Sequence, residues 1–123
     1  MATALVVGAS RGLGLSIAAE LLGRDWQVIG TVRGTAHTGL HDLAGRHPER
    51  IEVETLDINR PAEIAALRDR LAGRTIDLLF VNAGITTRDP LARVADVDAG
   101  EFAQVMVTNA YSPMHVIEAL QDL

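Results

Sequence analysis

Gly8-Ala9-Ser10-Arg11-Gly12-Leu13-Gly14 constrains this chain more than any other stretch, because of what stands on either side of it. Thr3 to Val7 (TALVV) is a short, continuous apolar run, the pattern of a strand buried on both faces. After the loop, Leu13, Ile17, Ala18, Leu21 and Leu22 recur at helical spacing, with Gly23 as a stop signal. Glycine lacks a Cβ and tolerates positive φ, so such a turn lets backbone approach a ligand closely. The turn also exposes N–H groups at a helix N-terminus, where the dipole favours an anion. The strand–turn–helix context therefore predicts a phosphate-binding loop rather than an ordinary turn.

The same alternation continues along the chain. Gln27 to Val32 reads as a second strand, His37 to His47 as a short helix carrying Leu40 and Leu43, and Ile51 to Leu56 as a third strand. Pro61 suits the first turn of the next helix, where its missing N–H costs nothing. That helix turns Ile64, Leu67 and Leu71 inward and ends at Gly73; Ile76 to Val81 follows as a fourth strand. Asp98 and Glu101 offer a capping-box start to a long helix that runs to the end. It carries Phe102, Val105, Met106, Val116, Ile117 and Leu120. Strands separated by helical crossovers imply an α/β, doubly wound parallel sheet, Rossmann-like, with helices on both faces. Residues 1–123 read as one dinucleotide-binding domain.

Charge and composition narrow the partners. A net charge of -5 leaves no basic footprint for nucleic acid, and no Lys/Arg run is present to hold an anionic membrane. With no cysteine there is neither a disulfide framework nor thiolate chemistry. No apolar run approaches the ~20 residues that span a bilayer, and no secretory signal pattern opens the chain. A cytoplasmic location is expected. His37 and His41 could share a helix face, but no third ligand accompanies them, so no metal is expected. Arg68, Asp69 and Arg70 read as a solvated helix face. All eleven basic residues are arginine, and lysine is absent.

The loop's Gly-x-x-x-Gly-x-Gly spacing resembles the cofactor loop of the short-chain dehydrogenases/reductases, of the single-domain type. Leu56-Asp57-Ile58 resembles that family's Asp after the third strand, Asn82-Ala83-Gly84 its turn after the fourth, and Asn109 within VTNAY its helical Asn. The resemblance runs through essentially the whole chain, with the motifs in order. It implies strand order 3-2-1-4 and a cofactor held by Gly8, Ser10, Arg11, Gly12, Leu13, Gly14, Arg33, Asp57, Ile58, Asn82, Ala83 and Gly84. Asp57 would accept from the adenine amino group or simply end a strand. Asn82 reads as mainly structural, bridging neighbouring strands at the cofactor rim. Asn109 would stand on the catalytic side, helping to hold a water linked to a catalytic lysine; its other reading is a helix-kink residue.

Cofactor preference follows from the end of the second strand. Dinucleotide folds that select NAD usually carry an acid there for the ribose 2′-OH. Here Val32 occupies that place, Arg33 follows it, and Arg11 lies inside the loop. Two guanidinium groups could pair with a 2′-phosphate through charge-assisted hydrogen bonds. NADP (NADPH) is therefore expected over NAD; the alternative leaves both arginines as solvated surface residues.

In the family a serine and a Tyr-x-x-x-Lys pair carry the acid–base chemistry, because a phenol near pKa 10 needs a neighbouring cation to shuttle protons at neutral pH. Tyr111 is the sole tyrosine, and His115 stands where the lysine would be. The resemblance places the family's serine, tyrosine and lysine beyond Leu123. The leading expectation is thus the cofactor-binding portion of an oxidoreductase acting on a carbonyl or alcohol, inactive by itself. A non-catalytic dinucleotide-binding or interaction module is the alternative, and an oligomerisation piece that binds no nucleotide a third. The apolar fourth strand would be an edge, which predicts self-association as a homo-oligomer or marginal stability of the isolated chain.

Overall fold

The computed structural model describes residues 1–85 and 88–123. Four parallel strands lie in the order β3-β2-β1-β4: β1 is Thr3–Val7, β2 Gln27–Val32, β3 Ile51–Thr55 and β4 Leu78–Val81. β1 is central, pairing Val6 with Gly30 on one side and with Phe80 on the other. Every residue of β1 is buried, as its unbroken apolar run requires.

The two-residue period of the strands sorts the core into two layers. Leu5, Val7 and Ile29 face one way, packing with Ile64, Leu67 and Leu71 of α3 (Pro61–Leu71) and with Val116 and Leu120. Val6, Val28 and Val32 face the other way, onto Ala18 and Leu22 of α1 (Gly12–Gly23) and Leu40 and Leu43 of α2 (Gly39–Arg46). Each large aliphatic side chain so buried contributes about 1.5–3 kcal/mol before chain entropy is counted.

α1 ends at Gly23, as its stop signal predicts, and Asp25 beyond it takes the left-handed conformation at φ 65. Other local expectations need correction. β4 starts at Leu78 rather than Ile76, because Asp77 turns back to β1: its N–H donates to the Thr3 carbonyl and its carboxylate accepts the Thr3 N–H, both at 2.8 Å. α2 opens on a capping box in which His41 replaces the usual Glu or Gln, Nδ1 accepting from the Thr38 N–H at 3.0 Å. The face of α3 read as solvated is tied down. Arg68 donates to the Ala119 carbonyl and the Asp122 carboxylate, and Arg70 pairs with Glu54 of β3. The Arg68 bond holds the Asp122 carboxyl below its ordinary pKa.

The long terminal helix runs without interruption from Ala99 to Leu120 but is not uniform. Asp98 caps α4 (Ala99–Met106) by accepting the Glu101 N–H at 2.8 Å, but Glu101 turns its carboxylate to Arg88 rather than completing the box. Val107–Tyr111 then forms a π-helical segment before α5 (Ser112–Leu120). Pro113 explains the change, since it brings no N–H and its ring cannot lie against the Asn109 carbonyl four residues back. The turn widens upstream instead, and the Ser112 N–H reaches Val107, five residues back. Val116 and Leu120 are buried as expected, whereas Phe102 (58% exposed), Met106 (49%) and Ile117 (45%) are not. β4 carries no second neighbouring strand among the described residues.

Candidate functional site

The carboxyl ends of β1, β2, β3 and β4 open into one cavity of about 350 Å³. Its floor is the glycine loop. The Gly8 N–H donates to the Thr31 hydroxyl at 3.0 Å and the Ala9 N–H to the Thr31 carbonyl at 2.9 Å, so one buried residue of β2 sets the loop's departure from the sheet. Gly8 has φ +88, and a Cβ there would lie 2.7 Å from the Ala83 nitrogen. Gly14 serves packing instead. A Cβ on it would stand 2.0 Å from the Gly8 carbonyl oxygen, so glycine lets α1 press directly on the end of β1.

Gly12, at φ +60, has nothing within 4 Å of where a Cβ would be, and it borders the cavity. No side chain caps α1 at Arg11. The N–H groups of the first turn therefore lack a capping acceptor beside an open space lined by backbone. A diphosphate fits this combination of left-handed glycine, open face and helix N-terminus.

The walls hold most of the residues expected from the sequence. Ser10, Arg11, Leu13, Val32, Arg33, Asp57, Ile58, Asn82, Ala83 and Gly84 all line the cavity with Gly8 and Gly12. Leu13 is 62% exposed, at the mouth rather than on the packed face of α1. Gly14 is buried behind the loop and does not line the cavity; its contribution is the close packing described above. Val32, an apolar residue, is buried at the end of β2, and neither Arg11 nor Arg33 has an acidic partner among the described residues.

Asp57 is fixed within its own loop. Its Oδ1 accepts the Asn59 N–H at 3.0 Å, and its N–H donates to Glu63 at 3.1 Å. Asn82 bridges strands: its Nδ2 donates to the Gly8 carbonyl at 3.2 Å and its N–H to the Val7 carbonyl at 2.8 Å. Asn109 lies in the π-helical segment, outside that cavity but on a more open adjoining recess with Arg11 and Ile85. Its carboxamide is engaged by one residue, accepting the Ile85 N–H at 2.7 Å and donating to the Ile85 carbonyl at 2.6 Å. Tyr111 is 66% exposed on the helix face with its ring 6.2 Å from that of His115, and it borders neither recess.

Thr31, Asn59 and Thr108 also line the cavity and went unrecognised in the sequence. Hydroxyl and amide residues carry no spacing signal of their own, although each of the three stood beside or within a motif: Thr31 before Val32-Arg33, Asn59 after Leu56-Asp57-Ile58, and Thr108 within VTNAY. His37 pairs with Asp42 at 2.6 Å and stacks on His41. No group of three metal-ligating side chains occurs among the described residues, and none of their helices is long and apolar enough to cross a membrane.

Known proteins share this arrangement. The short chain dehydrogenase family profile matches residues 2–123. The 3-oxoacyl-(acyl-carrier-protein) reductase of Escherichia coli K12 is 33% identical over 122 residues, covering 95% of this chain and 47% of the relative. A Burkholderia multivorans protein described as a short-chain dehydrogenase/reductase, solved with NADP bound, superposes with a TM-score of 0.95 at 52% identity, over 99% of this chain and 53% of its own. A carbonyl reductase from Pseudomonas aeruginosa PAO1 in complex with NADP gives 0.91 at 39% identity, over 99% and 53%. The chain spans about half the length of the curated relatives it matches.

Proposed function

This chain belongs to the short-chain dehydrogenase/reductase family, and from that premise we propose that it is the cofactor-binding portion of an NADP-dependent oxidoreductase. One observation carries the proposal: Arg11 and Arg33, which have no acidic partner among the described residues, share a cavity with the open glycine loop, at a β2 that ends in Val32 rather than an acid. NADP is also named with two of the similar solved structures.

In this reading the loop N–H groups at Gly12 and Leu13 hold the diphosphate, with Thr31 keeping the loop in place. Arg11 and Arg33 pair with the 2′-phosphate, Asp57 accepts from the adenine amino group, and Asn82, Ala83 and Gly84 form the rim on the nicotinamide side. The bound dinucleotide would exchange hydride with a carbonyl compound or alcohol. Asn109 acts here by holding the loop at Ile85, the edge of the nicotinamide side. The proposed setting is the cytoplasm.

Titration of NADPH and NADH, followed by nucleotide fluorescence, tests the cofactor reading. NADPH should bind at least about tenfold tighter, the scale of one charge-assisted hydrogen bond, and Arg33→Ala should shrink that gap. Equal affinities for the two nucleotides in the unaltered chain would overturn it. A second reading, a non-catalytic dinucleotide-binding module, draws on the exposed Tyr111 with His115 rather than lysine beside it. A reading frame that continues past Leu123 into a strand, a serine and Tyr-x-x-x-Lys would exclude it.

A further inference from the structure

The widened helical segment Val107–Tyr111 fastens both loops that wall the cavity, using adjacent residues. Asn109 holds the loop after β4 through both backbone groups of Ile85. Thr108, one peptide earlier and 3% exposed, holds the loop after β3: the Asn59 Nδ2 donates to its hydroxyl oxygen at 2.9 Å. The other end of the Asn59 carboxamide accepts the Ser112 hydroxyl at 2.7 Å, and Ser112 is equally buried. Gln104 adds a donor to the Thr108 oxygen at 3.3 Å. The Asn59 side chain is thus committed to two hydroxyls of the helix, whereas its backbone N–H belongs to the Asp57 side of the loop.

We propose that Asn59, Thr108 and Ser112 form a positioning clamp that sets the spacing between the two walls of the cleft, and so governs binding of ligands long enough to touch both. The proposal rests on the dinucleotide reading above. Asp57 keeps its place through Glu63 and its own turn, so the adenine-side wall is internally complete without the clamp. What the clamp supplies is the registration of that wall against Ala83, Gly84 and Ile85. A ligand confined to the adenine half is indifferent to that registration; a full dinucleotide is not.

Calorimetric titration of NADPH and of adenosine 2′,5′-bisphosphate tests this with Ser112→Ala, since Ser112 does not line the cavity. NADPH should weaken about fivefold, on the scale of one net hydrogen bond, and the bisphosphate should stay within about twofold. Thr108→Val should repeat this pattern, and Thr108→Ser, which keeps the hydroxyl, should restore NADPH binding. Equal weakening of both ligands, or of neither, would overturn the clamp while leaving the cofactor reading intact. If the unaltered chain bound neither ligand, the cofactor reading itself would fall and take the clamp with it.

Discussion

Alanine at Gly14 and alanine at Gly12 should fail in opposite ways. At Gly14 the new methyl carbon would stand 2.0 Å from the Gly8 carbonyl oxygen, so at least about 1 Å of separation has to be found. The carbonyl cannot swing away, because Gly8 is held by Thr31 at its N–H and by Asn82 at its oxygen. Helix α1 must move instead, loosening Ala18 and Leu22 in the core. Overpacking costs about 1–3 kcal/mol, and a backbone obstacle puts this site at the upper end, so the melting temperature should fall by roughly 10 °C. At Gly12 the space is open and only the left-handed φ +60 disfavours alanine, by about 1 kcal/mol and roughly 4 °C. That methyl group, however, occupies the proposed phosphate cradle, so NADPH affinity should drop at least about tenfold, near 1.4 kcal/mol. Thermal melts without ligand, paired with fluorescence titration, separate the two effects. If Gly12→Ala melted as low as Gly14→Ala, or Gly14→Ala melted like the unaltered chain, the division between packing glycine and cradle glycine would be wrong.

Acid should release the end of α5 from α3. Asp122 has a lowered pKa because Arg68 hydrogen-bonds its ionised form, so its contribution is present above the ordinary carboxylate pKa and is lost as pH falls below about 4. Asp122→Asn should therefore lose less stability than the unaltered chain between pH 5 and pH 3 in urea melts; parallel losses would contradict this. Removing the α4 cap with Asp98→Ala should cost about 1 kcal/mol in the same assay, and no change would show that the Glu101 N–H finds another acceptor. The open edge of β4 and the exposed row Phe102, Met106, Tyr111, Met114 and Ile117 predict concentration-dependent self-association. A monomer throughout the micromolar range in sedimentation velocity would refute it.

Much of the site was legible because glycine and charge speak locally. Gly8 and Gly12 were readable as left-handed loop positions from the strand before them and the helix after them, and the missing acid at Val32 is a plain fact of one position. Pro113 was equally visible, yet its meaning was passed over: a proline fifteen residues into a helical pattern announces a distortion near Asn109. Arg68, by contrast, looked like any solvated arginine, since Asp122 and the Ala119 carbonyl become its neighbours only when α5 packs against α3.

Apolar periodicity and turn residues are local properties, and by themselves they determined the parallel sheet, its two helical layers and the loop at the end of β1. Which polar groups meet across the cleft was decided only by the tertiary structure. Asn59 lies 49 positions from Thr108 and 53 from Ser112. Hydrogen bonds at that range depend on where whole elements come to rest, and no spacing along the chain encodes them.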